Sequence, residues 1–158
     1  MRRSWILSAA LVATTALALA PAGGAAKSNK TTQLSCALEL YAQGMPNPSG
    51  IHFGFVKCPS PFGKGLHYSA YTVTPTGMGT GTVAGTFKNY YNRGTTRGTV
   101  ALTFAATSPK DITYTGTVTY TGGTGRFKHV KGSGTIECTS SDGGAHKSCT
   151  VNSKLTGI

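Results

Sequence analysis

Between Asp111 and Thr121 the side chains alternate in character. Ile112, Tyr114, Val118 and Tyr120 fall on one side, and Thr113, Thr115, Thr117 and Thr119 on the other. A period of two suits a strand with one buried and one wet face, and no helix sorts these residues that way. Short alternating runs of Gly, Thr, Val and Tyr recur along the chain, while stretches of strong helix formers are absent. The chain is therefore expected to be all-β.

Eight such runs can be traced, near 34–41, 51–58, 66–73, 79–87, 96–105, 111–121, 131–140 and 145–155. Most are joined by short Gly-rich connections, and Pro46, Pro48, Pro59 and Pro61 punctuate the two early loops. Eight short strands in a row suggest an antiparallel, calycin-like barrel, because closure removes exposed sheet edges. A two-sheet β-sandwich is the alternative with the same strand count.

Ahead of the strands, Arg2 and Arg3 precede a 16-residue run of apolar and small residues from Trp5 to Ala20, then a Pro/Gly/Ala stretch. This reads as a secretory signal peptide over residues 1–26, cut after Ala26. The run is short for the roughly 20 residues that span a bilayer, so stable membrane insertion is not expected. Residues 27–33 read as a flexible polar tail and 34–158 as a single barrel domain. A secreted chain places Cys36, Cys58, Cys138 and Cys149 in an oxidising compartment, where disulfides form. Four cysteines allow three pairings. Cys138 and Cys149 bracket the turn candidate Ser141–Gly144, and Cys36 and Cys58 lie on the first two strands, so a hairpin brings each pair together. A zinc site is disfavoured because close Cys-x2-Cys spacing is missing; no metal or cofactor is expected.

Without Arg2 and Arg3, 13 Lys and Arg residues face only Glu39, Asp111, Glu137 and Asp142, a formal charge of +9. Such a surplus favours anionic partners. Two segments interleave cations with aromatic rings: Lys88, Tyr90, Tyr91 and Arg93 with Arg97 beyond them, and Arg126, Lys128, His129 and Lys131. If their loops meet at one barrel end, Arg pairs with carboxylate, sulfate or phosphate while Tyr stacks on a sugar. Nucleic acid is disfavoured, since no recognisable nucleic-acid fold accompanies these segments.

Residues for chemistry are sparse. Glu39 lies on the first strand, and His52, His67 and Tyr71 on the next two, so a polar cavity cluster of these four is geometrically permitted. No serine has the context of a nucleophile elbow, and the histidines are too scattered to announce a metal site or triad. The cluster is a weak catalytic candidate.

The segments Gly85-Thr86-Phe87-Lys88-Asn89-Tyr90-Tyr91, Thr113–Val118, Tyr120–Phe127 and Gly132–Thr135 resemble the allene oxide cyclase and dirigent barrel superfamily, particularly its small secreted bacterial relatives. The likeness is concentrated in residues 79–139. It implies an eight-stranded antiparallel barrel with an interior cavity, and it marks Gly122–Gly125 as a structural turn from which Phe127 returns to cap a barrel end. No motif carries over either family's active residues. The function expected first is a secreted, noncatalytic binding module for an anionic glycan or cell-wall polymer. The alternative is a carrier of a small hydrophobic ligand, or a cyclase- or dirigent-like enzyme using the cavity. Oligomeric state is not set by the sequence.

Overall fold

The computed structural model describes residues 30–44 and 48–158, so residues 1–26, expected to be a signal peptide, and residues 27–29 of the expected tail lie outside the described residues. Eight strands follow one another: β1 (Thr32–Gln43), β2 (Ser49–Lys57), β3 (Lys64–Gly77), β4 (Thr80–Tyr91), β5 (Gly94–Ala106), β6 (Ile112–Gly123), β7 (Lys131–Ser140) and β8 (His146–Thr156). Each pairs antiparallel with the next, and β8 pairs with β1, which closes the barrel. The barrel forms, not the sandwich. Strand β1 starts inside the expected polar tail, because Thr32 and Gln33 pair with Leu155 and Lys154. Among the described residues no helix is long and apolar enough to cross a membrane.

Alternation decides the interior. Leu34, Cys36, Leu38 and Leu40 of β1 and Tyr114, Val118 and Tyr120 of β6 are buried, while the intervening threonines of β6 face outward. Both expected disulfides are present: Cys36–Cys58 ties β1 to the end of β2, and Cys138–Cys149 ties β7 to β8. These bridges also fix which face of each strand turns inward. A shift of one residue would send every side chain to the opposite face, and a disulfide between neighbouring inward cysteines resists that slip.

One end of the barrel is solid. After β6 the chain makes a 3-10 turn, Gly125–Phe127, that folds Phe127 into the barrel, where Phe127, Val130 and Leu155 have no exposed surface. Phe127 stacks on Phe62 at 4.4 Å between ring centroids, and Tyr91 meets both rings edge-on at 5.4 and 5.6 Å. Gly125 holds φ +56°, and a Cβ there would run into the carbonyl of Arg93. That carbonyl accepts a hydrogen bond from the Arg126 N–H at 2.9 Å, so the β4–β5 turn and the plug are locked together.

Candidate functional site

Above the plug the barrel is hollow. A cavity of about 640 Å³ runs from the centre towards the loops at the other end, reaching Gly44, Pro109 and the β7–β8 turn at Asp142–Ala145. Its wall is largely aliphatic and aromatic, with Leu38, Val83, Phe87, Val118 and Ile136 among the lining residues. A volume of this size lies within the roughly 300–1,000 Å³ of small-molecule sites.

Polar groups enter this wall at a few points. His52 and Tyr71 stack face to face, with ring centroids 4.1 Å apart. Lys147 enters from β8, and its ammonium donates to His52 Nε2 at 2.8 Å and to the Gly144 carbonyl. It also lies 5.3 Å from the centre of the Tyr114 ring. Deeper in the wall, His67 Nδ1 donates to Asn89 Oδ1 at 2.7 Å, and Asn89 Nδ2 donates to Thr96 Oγ1 at 3.2 Å. This chain satisfies buried polar atoms and fixes the His67 tautomer with its proton on Nδ1.

Burial sets the charge states. It lowers Lys147 from the ordinary lysine range to about 8, with Asp142 pulling weakly the other way. His52 is pushed down to about 3, chiefly by burial and then by the charges of Lys147 and His67. His67 falls to about 4 for the same first reason, opposed by its bond to Asn89. Tyr71 and Tyr114 are both raised by burial, the latter to about 12. At neutral pH the wall therefore carries neutral imidazoles, neutral phenols and one mostly protonated lysine, with the Asp142 carboxylate at the mouth. Among the described residues the only side-chain ion pair is Glu39 with His146, outside the cavity. Lys147 has no carboxylate partner within that range.

Three of the four cavity candidates, His52, His67 and Tyr71, line the wall. Glu39 does not join them. It projects outward, accepting from His146 Nε2 and Ser148 Oγ, each at 2.8 Å. Lys147 was missed, yet the signal for it exists in the sequence. Cys149 must turn inward to meet Cys138, and with a period of two Lys147 shares its face.

The two basic aromatic segments do meet at the plugged end, through the Arg93–Arg126 backbone bond and the 3.0 Å contact of the Thr95 and Thr124 hydroxyls. Arg93, Arg97, Arg126, Lys128, His129 and Lys131 are exposed around it. Lys88 lies 4.8 Å over the exposed Tyr90 ring. Tyr91 behaves differently: it points into the plug, with its hydroxyl 3.6 Å from Cys58 Sγ, and presents no ring for stacking outside.

Fold and site together define a closed eight-stranded barrel with an internal, mainly apolar cavity. No family model matches the chain, and no curated protein matches it. Among solved structures, pyocyanin demethylase is similar at 16% identity and a TM-score of 0.44, over 80% of this chain and 100% of that one.

Proposed function

We propose that this protein is a noncatalytic binder or carrier of a small, mostly apolar acid, housed in the barrel with its carboxylate or phenolate on Lys147. The observation that supports this reading is a buried lysine with no carboxylate in salt-bridge contact, only the more distant Asp142 at the mouth, in a largely hydrocarbon wall. Two of the ammonium's three N–H groups are engaged, by His52 and Gly144, and the third is left for a ligand. An incoming anion removes the cost of an unpaired buried charge while its apolar body gains from leaving water. Neutral His52 holds the ammonium in place as an acceptor. Membership of the allene oxide cyclase and dirigent superfamily is part of the same proposal, supported by the sequence likeness and compatible with the closed barrel. Export to an oxidising compartment is proposed with it, supported by the two disulfides and the apolar leader sequence.

Isothermal titration at pH 7 with decanoate and with 1-decanol tests the role of Lys147. A charge-assisted hydrogen bond contributes about 1.5–3 kcal/mol. Lys147→Met is therefore expected to weaken decanoate binding about 10- to 150-fold and to change decanol binding by no more than about threefold. Wild-type affinity for decanoate is expected to fall as the pH rises past about 8, where Lys147 loses its proton. Equal decanoate binding by wild type and variant would overturn the anchor.

A further inference from the structure

The outer wall of β1–β3 reverses the usual distribution of residues. On β2 and β3, His52, His67 and Ser69 turn inward while Phe53, Phe55, Leu66 and Tyr68 turn outward. Phe55 is 60% exposed and Leu66 56%, so these are uncovered faces and not edges of the core. Contiguous exposed apolar surface of this kind marks a binding site more often than scattered single residues do.

Register makes the patch continuous. Tyr41, Phe53 and Tyr68 lie directly opposite one another across β1, β2 and β3, and the same row continues into Lys88 on β4 and Arg97 on β5. The adjacent row holds Phe55, Leu66 and Tyr90, with Glu39 at its β1 end, where His146 and Ser148 engage the carboxylate. The next row towards the plugged end holds Lys57 opposite Lys64. The rings are already held in place: Tyr41 stacks on His146 at 4.7 Å, Tyr41 and Phe53 are inclined by only 30°, and Lys88 lies over Tyr90. The result is an aromatic platform bordered on two sides by four cations.

We infer that this face binds an acidic polysaccharide. Pyranose rings lay their C–H faces along Tyr41, Phe53 and Tyr68, and uronate, sulfate or phosphate groups meet Lys57, Lys64, Lys88 and Arg97. Charge complementarity selects this occupant. Without Arg2 and Arg3 the chain carries a formal +9, so a polyanion is attracted, whereas a second copy laid on the same face would confront these cations with their own kind. The platform spans the side of three paired strands, away from the barrel ends. It lies on the outside of the barrel, so the proposal is independent of the cavity reading, and Lys147→Met is expected to leave it unchanged.

Affinity electrophoresis of the full chain in polygalacturonate, compared with neutral dextran and repeated at low and high salt, provides the test. Wild type is expected to be retarded at least tenfold more by the acidic polymer. Phe53→Ala with Tyr68→Ala is expected to reduce that binding at least tenfold at both salt concentrations. Lys57→Gln with Lys64→Gln is expected to reduce it mainly at low salt, where counterion screening is weak. Because all four side chains are exposed, circular dichroism and melting of the variants are expected to match wild type. Unchanged retardation of the aromatic variant would overturn the platform. So would equal retardation by dextran, binding to phosphatidylserine vesicles without polymer binding, or a dimer in sedimentation that Phe53→Ala dissolves without any polymer binding.

Discussion

Between pH 6 and pH 4 the barrel is expected to lose about 2 kcal/mol of stability for each pH unit, because two buried imidazoles resist the proton that the unfolded chain accepts. His52 is held near 3 and His67 near 4, both first by burial. Unfolded histidine titrates near 6.5, so across this window the unfolded chain binds between one and two more protons than the folded one. Each proton corresponds to about 1.36 kcal/mol per pH unit, and stability falls as the pH falls. The groups facing the pair do not offset the change. Lys147 stays charged below pH 8, Tyr71 and Tyr114 stay neutral, and the Asp142 carboxyl, held below its ordinary range by the His146 N–H and the Ser140 hydroxyl, resists protonation and so offsets nothing. The summed loss from pH 6.5 to 4 is about 5 kcal/mol, comparable to the whole stability of many domains. Urea titrations at pH 7, 6, 5 and 4 measure it directly. His67→Gln is expected to halve the slope, and a flat profile would mean that the folded protein protonates these rings without cost.

Phe127→Ala is expected to cost about 3–5 kcal/mol, in line with other aromatic-to-alanine changes in cores, and to lower the melting temperature by about 10–25 °C for a domain of this size. The ring is fully buried, lies flat on Phe62 and meets Tyr91 edge-on. Its removal leaves a void at the junction of four segments: β2–β3, β4–β5, β6–β7 and the end of β8. The plug is hydrogen-bonded into place by backbone groups, so the walls have little freedom to collapse into that void. Arg126→Ala, one residue earlier on the exposed side, is expected to fall within about 0.5 kcal/mol. Scanning calorimetry compares the two, and a loss below 1 kcal/mol for Phe127→Ala would show that the plug does not hold the barrel end.

Much of this fold is legible in the sequence because one physical rule, alternation, acts on every strand. The order, number and approximate limits of the eight strands follow from it, and the positions of the cysteines on adjacent strands anticipate both disulfides. The return of Phe127 follows from glycines that tolerate positive φ, as at Gly122 and Gly125. Alternation does not say which face is inside, however. On β2 the more apolar set is Ile51, Phe53 and Phe55, and yet His52, Gly54 and Val56 face the cavity. The covalent partner of Cys58 decides this, not hydropathy. Lys147 was missed for the related reason that a lysine between His146 and Ser148 reads as surface. Glu39 lies between Leu38 and Leu40 on β1, and alternation turns those leucines inward and Glu39 out. Cavity volume depends on how eight inward rows pack together, and no single strand records that.

Native mass spectrometry of the protein isolated under mild conditions from its producing organism addresses the central claim most directly, namely that the barrel houses one small apolar acid on Lys147. The expected spectrum shows one acidic small molecule per chain, and Lys147→Met produced in the same way appears without it. Bare protein, both as isolated and after incubation with a series of fatty and aromatic acids, would contradict the claim and leave the cavity without the role assigned to it.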